Sequence, residues 1–154
     1  DSAMKRFCEN FKRLSKSVRS RLTVENDDKA SMYSVKDLMY LHEQINIPIV
    51  FDYHHHQFCT GGLTEEEALK LAITTWPKNI KPIVHYSESK RLHEENDKIK
   101  EQAHSDYINE LPNLYNMDVD VMVEAKAKEL AILPHMAKFN VCAYSGLLNI
   151  ENYK

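Results

Sequence analysis

The sequence predicts an α/β fold in which parallel strands alternate with covering helices. Its strand-like segments are short and wholly apolar, as strands are when both faces of a parallel sheet are covered. A helical pattern separates each strand from the next, which is typical of βαβ units. The chain has 154 residues, of which 43% are hydrophobic and 28% are charged. This is enough apolar material for the core of a single domain and too much for a disordered chain.

The first half of the chain reads as two helix–strand pairs. Apolar residues from Phe7 to Val18 recur at helical spacing, and residues 21–25 form a strand-like run. Ser34, with an acidic residue three positions later, predicts a capping box at the start of the next helix. Residues 47–51 then predict a strand that has no solvent-facing side.

The second half repeats this alternation. In chain order, the predicted elements are a helix capped at Thr64 and ending near Thr75, a strand over residues 81–85, a charged surface loop over 88–102, a helix over 104–111, a strand over 119–123 and a helix over 125–136. Four such strands make about half of a (β/α)8 barrel, which usually has about 250 residues. From this pattern alone, the sheet is either open or part of a barrel.

The composition excludes several classes of site. The 3 glycines are too few for a dinucleotide-binding fingerprint or a P-loop. The 3 cysteines, Cys8, Cys59 and Cys142, form no CxxC pair, so we expect reduced, packed thiols and no zinc thiolate site. No apolar stretch approaches the roughly 20 residues of a membrane span, and the charged N-terminal segment lacks the apolar region of a signal peptide. We therefore expect a soluble protein of the cytoplasm or nucleus without a membrane partner.

Charge is unevenly distributed along the chain. The net charge of -3 comes from 20 basic and 23 acidic residues, yet residues 5–21 contain seven basic residues and one acidic residue. This segment could contact the phosphates of a polyanion, although a solvated helix face has the same composition. The bulk charge therefore decides neither for nor against nucleic acid as a partner.

Residues of the metal-ligand type lie at or just past the C-terminal ends of the predicted strands. In parallel α/β folds the C-terminal rim of the sheet binds ligands, whereas the opposite rim serves stability. We therefore expect these residues to share one site. They are Glu25, Asp52, His55, His85 and Glu124.

The segment FDYHHHQ, residues 51–57, carries the sharpest local signal. Asp52 and His55 offer an oxygen and a nitrogen ligand, a combination that suits Mn, Zn or Fe. Three adjacent histidines are also typical of a solvated loop. We expect His54 and His56 to point away from the site, or to contact the metal-binding residues without binding metal themselves. Three other histidines, in helical or charged segments, are interpreted as solvated: His42, His93 and His135.

Five short motifs occur in a fixed order along the chain. They are LTVENDD at residues 22–28, IPIVFDYHH at 47–55, KPIVHYS at 81–87, HSDY at 104–107 and DVMVEAK at 120–126. In that order they resemble the successive motifs of the UV damage endonuclease family. Five ordered motifs are much more specific than any one of them.

This resemblance implies a TIM barrel related to endonuclease IV and a cluster of divalent metal ions, most often Mn²⁺, with Mg²⁺ or Zn²⁺ as alternatives. It also implies ATP-independent incision of damaged double-stranded DNA on the 5′ side of UV photoproducts and other distorting lesions. Five residues match metal ligands with a part in catalysis: Glu25, Asp52, His55, His85 and Glu124. A sixth ligand, His104, is added by resemblance only.

The chain departs from the family pattern in two ways. Nothing in it corresponds to the first half of the barrel, which carries further histidines and the residues that probe the lesion. Residues 1–154 are therefore expected to form one domain, the C-terminal half of a barrel, which could pair with the N-terminal half or with a second copy through open sheet edges. In addition, Ile83 stands where some members have a modified lysine, and Lys81 offers a weak substitute.

Two other functions fit the same residues. A sugar-isomerase-like barrel also holds divalent metals with Glu, Asp and His at its strand ends, but would move hydrogen on a sugar. A non-catalytic binding or structural fragment is the second alternative, because half a barrel has an incomplete site. The family motifs favour the endonuclease.

Overall fold

The computed structural model describes residues 2–138, without the side chains of residues 137 and 138. Seven helices and four strands follow one another in this part of the chain. They are α1 (Ser2–Arg13), α2 (Lys16–Arg19), β1 (Val24–Glu25), α3 (Val35–Ile45), β2 (Ile49–Asp52), α4 (Tyr53–His56), α5 (Glu65–Ile73), β3 (Ile83–Tyr86), α6 (Lys90–His93), β4 (Asp120–Val123) and α7 (Glu129–Lys138).

The four strands form one parallel sheet in the order β1-β2-β3-β4, which confirms the predicted α/β class. Strand β2 is buried along its whole length, as its apolar sequence predicts. Helices α3 and α5 pack against it and against each other. Within residues 2–138, β1 and β4 each pair with a single strand, so this part of the sheet is not closed.

Two helices begin at the capping boxes that the sequence predicts. The Ser34 hydroxyl accepts a hydrogen bond from the Asp37 backbone N–H, and the Asp37 carboxylate accepts one from the Ser34 N–H. Thr64 and Glu67 make the same reciprocal pair at the start of α5. These caps place the starts of α3 and α5, the two helices that pack against β2.

A glycine turn packs directly against the first of these caps. Gly61 has a φ of 60°, and a Cβ atom on it would lie 2.3 Å from the Ser34 Oγ. Gly62 has a φ of 80°, but a Cβ atom there would meet no atom within 4 Å. Both positions favour glycine for its backbone freedom, whereas only Gly61 also requires the absence of a side chain.

We expect Gly61→Ala to lower the free energy of unfolding by about 2–4 kcal/mol, because backbone strain adds to a clash with a buried cap. Gly62→Ala, the matched control, should cost only about 1 kcal/mol through strain alone. Urea unfolding followed by circular dichroism measures both values. Equal losses for the two variants would contradict the close packing of Gly61 on Ser34.

The N-terminal helix differs from its predicted pattern. The apolar residues that it buries are Met4, Cys8 and Phe11, whereas Phe7 and Val18 are exposed. The buried stripe therefore begins one turn earlier, and the helix breaks after Arg13. Cys8 and Cys59 are buried and unpaired, as predicted, whereas Cys142 lies outside the described residues.

The predicted helix over residues 104–111 is wrong, and so is the uninterrupted loop over 88–102. Residues 104–111 contain no helix, because the backbone N–H groups of Ser105, Asn109 and Glu110 bond to Glu88 and not to carbonyl groups of a helical turn. The charged segment contains α6, and the last helix begins at Glu129, not at residue 125. Strand β4 is only half-buried, because it is the last strand of the described sheet.

The part of the chain that the structure describes contains no helix with both the length and the apolar composition needed to cross a bilayer.

Candidate metal centre

Strand register places the candidate ligands on one face of the sheet. Asp52 is the direct neighbour of His85 across β2 and β3, so their side chains point to the same side. Glu25 is paired with Val50, two residues before Asp52, and therefore shares this side. Glu124 follows β4 by the same two-residue step, because His85 pairs with Met122.

The side chains meet at the C-terminal rim. The Glu25 Oε1 atom lies 3.3 Å from Nδ1 of His55 and 3.3 Å from Nδ1 of His85. The Nδ1 atom of His85 lies 3.1 Å from Glu124 Oε1. Potential ligand atoms lie within 4.8 Å of one another in two groups, one of Glu25, Asp52 and His55 and one of Asp52, His85 and Glu124. The five residues expected at one rim are therefore adjacent.

Asp52 is common to both groups and is fully buried. Its Oδ1 atom accepts a hydrogen bond of 2.8 Å from the His55 backbone N–H and so caps α4. Its buried Oδ2 atom has no hydrogen-bond partner among the described residues. Burial raises the pKa of Asp52 to about 6, and the neighbouring Glu25 carboxylate contributes to this rise. A buried oxygen without a donor is the kind of atom that a cation would satisfy.

The imidazoles of His55 and His85 compensate the negative charge of the Glu25 carboxylate. Burial opposes ionisation of Glu25, but the imidazoles of His55 and His85, each with its Nδ1 atom 3.3 Å from Glu25 Oε1, outweigh burial and hold the Glu25 pKa well below its usual range. Burial also lowers the pKa of His55, yet the Glu25 and Asp52 carboxylates together raise it to about 9. The adjacent Glu25 carboxylate likewise raises the pKa of His85. This rim therefore holds a compact set of opposite charges.

Asn26 is a site residue that the sequence reasoning missed. It is buried, and its side-chain amide donates to the Asp52 carbonyl oxygen at 3.0 Å and accepts from the Asp52 N–H at 2.9 Å. Its own carbonyl oxygen accepts from Nδ1 of His55 at 2.9 Å, which leaves the Nε2 atom available as a ligand. A single Asn after a strand carries no signal of this role, since turns are rich in Asn.

His104 reaches the cluster from the irregular segment after α6. Its Nδ1 atom lies 3.5 Å from Glu124 Oε2, and its ring contacts those of His54 and His55. His54 is fully buried, between His104 and Phe58, and His56 is buried against Phe51. His54 therefore packs behind His104, whereas His56 belongs to the core.

The expectation that His42, His93 and His135 are solvated is wrong. Each is partly buried and bonded: His42 and His135 to backbone carbonyl oxygens, and His93 to the carboxylate of Glu88. A helical or charged segment suggests a solvated ring, but partners that its local pattern does not reveal bind each of these histidines.

Comparison with known protein families shows to which family this chain belongs. The family model described as UV-endonuclease UvdE matches residues 1–152. The chain belongs to the UvdE family. The match runs through every candidate ligand described above, and it confirms the resemblance that the five motifs predict.

Two relatives named as UV damage endonucleases are similar to this chain over most of its length. It is 41% identical to the UV-damage endonuclease of Schizosaccharomyces pombe over 150 residues, which are 94% of this chain and 23% of that protein. It is 36% identical to a UV DNA damage endonuclease of Bacillus cereus over 143 residues, 86% of this chain and 42% of that protein. The chain thus spans about a quarter to two fifths of these relatives.

A crystal structure of SacUVDE has the same arrangement of elements. The TM-score is 0.72 at 32% sequence identity, and the match covers 89% of this chain and 46% of that structure. The matched part of this UvdE family member therefore corresponds to about half of a solved relative. An open four-stranded sheet is consistent with part of a barrel.

The structure does not favour Lys81 as a substitute for a modified lysine of the UvdE family. Its Nζ atom pairs with Asp118 at 2.7 Å and with Asp120 at 3.2 Å, at the N-terminal edge of β3 and β4. Both carboxylates raise the Lys81 pKa. The side chain therefore stays an ammonium at the edge opposite to His85, where it is a poor nucleophile for modification.

Proposed function

We propose that this chain supplies one wall of the active site of a metal-dependent DNA repair endonuclease that incises damaged double-stranded DNA on the 5′ side of UV photoproducts and other distorting lesions. The observation that carries the proposal is the convergence, in a UvdE family chain, of three carboxylates and three imidazoles at one rim. These residues are Glu25, Asp52, His55, His85, His104 and Glu124.

The site chemistry fits divalent metal ions. Carboxylate oxygens and imidazole nitrogens together suit Mn²⁺ best, and Mg²⁺ or Zn²⁺ are alternatives. Buried atoms of Glu25, Asp52 and His85 lack hydrogen-bond partners among residues 2–138, and they face one another. Asp52 is common to the two groups of potential ligand atoms, so it would be a central member of the set of residues that holds metal.

When bound, divalent ions neutralise the charge of a phosphodiester and activate water for its attack near neutral pH. The protein's own residues hold the candidate ligands in position for this chemistry. The Asn26 side chain fixes the backbone of Asp52, the His55 N–H at the start of α4 fixes the Asp52 carboxylate, and the Asn26 carbonyl oxygen orients His55. Fixed ligands reduce the reorganisation that a reaction requires. The exposed basic residues of α1 and α2 would contact DNA phosphates, whose binding is favoured by local positive charge.

We further propose that residues 1–154 are the C-terminal half of a (β/α)8 barrel. The sheet described here has two strands that each pair once, and the SacUVDE match covers less than half of that chain. The missing half would complete the barrel and supply further ligands and lesion-probing residues. An enzyme acting on DNA lesions would work inside the cell, in the cytoplasm or nucleus.

The test is an incision assay on a chimera in which this chain replaces the matching 42% of the Bacillus cereus relative. With Mn²⁺, we expect the chimera to nick UV-irradiated plasmid and to leave unirradiated plasmid and aldose sugars unchanged. Aldose isomerisation without nicking would favour the sugar-isomerase-like alternative. A folded, Mn²⁺-loaded chimera that performs neither reaction would favour the non-catalytic alternative.

A further inference from the structure

A carboxylate outside the metal cluster holds the segment that carries His104. Glu88 lies just past β3, and only 16% of its side chain is exposed. Its Oε1 atom accepts hydrogen bonds from the backbone N–H groups of Asn109 at 2.9 Å and Glu110 at 3.0 Å. Tyr86 donates its hydroxyl to the same oxygen at 3.2 Å. The other oxygen, Oε2, contacts Nε2 of His93.

The backbone of Glu88 and the next two residues continues this attachment around His104 itself. The Ser105 N–H donates to the Glu88 carbonyl oxygen at 2.8 Å, and the Lys90 N–H donates to the Ala103 carbonyl oxygen at 2.8 Å. Between these two bonds, Ser89 and His104 form an antiparallel bridge. We call residues 88–90 and 103–110, with these bonds, the His104 clasp.

The clasp joins two otherwise separate parts of the candidate site. His85 is held by strand pairing in β3, three residues before Glu88. His104 lies in no strand or helix, and its side chain meets the cluster through Glu124, His54 and His55. Residues 105 and 106 also accept hydrogen bonds from residues 126 and 127, just after Glu124. The segment is thus tied to the ends of both β3 and β4.

From these contacts we propose that Glu88 is a positioning residue that fixes His104 against the metal cluster. The role in metal binding rests on the proposed function, whereas the clasp itself does not. Glu88 touches none of the six ligands with its side chain, so it acts through the backbone of residues 103–110. One carboxylate oxygen that accepts two backbone N–H groups and a hydroxyl is a stronger anchor than neutral acceptors would be.

The charge state of Glu88 is consistent with this role. Burial raises its pKa, but the bonds from Glu110, His93, Asn109 and Tyr86 outweigh burial and lower the pKa overall. Glu88 is therefore an anion near neutral pH and a full-strength acceptor for the segment.

The first arm of the test uses the metal-free chain. In Glu88→Ala, we expect amide hydrogen exchange at Asn109 and Glu110 to accelerate at least about tenfold, because each loses a bond to a charged acceptor. The NMR signals of the His104 ring should shift as well. Glu94→Ala is the matched control: this exposed carboxylate just after α6 pairs with Lys90 and makes no bond to residues 103–110 in the described part of the chain, so its loss should leave both readouts unchanged.

The second arm measures Mn²⁺ affinity by calorimetry. We expect Glu88→Ala to weaken binding about 10–100-fold, as loss of an outer partner of a metal ligand does. Glu88→Gln should lose less, because its amide oxygen still accepts the N–H groups of Asn109 and Glu110. In a His104→Ala background, Glu88→Ala should cause no additional loss. Trp76, which donates to the Ile49 carbonyl oxygen in the core, reports by fluorescence that each variant is folded.

The two arms of the test distinguish failure of the proposed function from failure of the Glu88 proposal. If the wild-type chain binds no Mn²⁺, the proposed function fails, and exchange at residues 103–110 together with the His104 signals still decides whether Glu88 positions the segment. Unchanged exchange and unchanged His104 signals in a folded Glu88→Ala variant would overturn the proposal. So would an affinity loss that is equally large with and without His104.

Discussion

Asp52→Asn is expected to lower the affinity of the chain for Mn²⁺ at least about 100-fold while leaving the fold intact. Loss of an outer partner of a ligand already costs about 10–100-fold, and Asp52 belongs to both groups of potential ligand atoms. The asparagine oxygen can still accept the His55 N–H that begins α4, so the cap survives the substitution. Asp52→Ala removes cap and charge together and should lose affinity as well as stability.

The same substitution should stabilise the metal-free chain above about pH 6. Because the pKa of Asp52 is raised from 3.8 to about 6, its carboxylate is less favourable in the folded than in the unfolded chain. The free energy of unfolding therefore falls as pH rises from 3.8 to about 6. Above about pH 6 the full loss amounts to up to about 3 kcal/mol. We expect the advantage of Asp52→Asn to be small near pH 4 and full at pH 7.

Calorimetric titration with Mn²⁺ and thermal melts with a chelator, from pH 4 to pH 7, measure the two effects. Asp118→Asn is the matched control, since Asp118 is an exposed carboxylate at the opposite edge of the sheet. Wild-type Mn²⁺ affinity in Asp52→Asn would refute the role of Asp52 as a shared ligand. A lower melting temperature at pH 7 would refute the cost that we assign to its buried charge.

The isolated chain is expected to nick UV-irradiated DNA at least about 1,000-fold more slowly than the Bacillus cereus chimera described above. A hydrolytic metal site needs its whole ligand set and a positioned substrate, and contributions of residues that act as a unit do not add. In the described part of this chain, the candidate ligands line one wall, and Met122 on the same face of the sheet is 51% exposed. That exposure is expected of a face that another part of a barrel covers.

Initial rates of plasmid nicking at equal concentrations, with Mn²⁺, provide the measurement. The chimera with Asp52→Ala should fall to the rate of the isolated chain, which shows that the recovered activity passes through this site. Self-association of the chain should restore nothing, because a second copy adds no new kind of ligand. A demonstrated monomer of the chain that cuts as fast as the chimera would contradict both the half-barrel proposal and the need for further ligands.

Periodicity predicts those parts of this fold that a local pattern determines. The strands at Asp52 and His85 are apolar runs that need no knowledge of their neighbours, and the Ser34 and Thr64 caps are encoded within four residues. The rule that strand ends meet at one rim then predicts that the ligands of separate strands converge.

The features that local sequence patterns fail to predict depend on contacts between segments that are distant in sequence. Residues 104–111 have an acceptable helical pattern, but Glu88 binds the N–H groups that a helix would use. Asn26 likewise acquires its role from a partner that is 26 positions away in sequence. His104 is placed by such contacts alone, so only its family resemblance, and no strand or helix pattern, identifies it from the sequence.

The pairing of Glu25 with His55 and His85 has a consequence for how this centre would load. In the metal-free chain, protons on the imidazoles already balance the carboxylates, and the pKa of about 9 for His55 keeps one in place at neutral pH. Uptake of a divalent ion is then an exchange of cations and not a simple addition of charge. The protons would offset the mutual repulsion of the carboxylates and so keep the candidate ligands close together before metal binds.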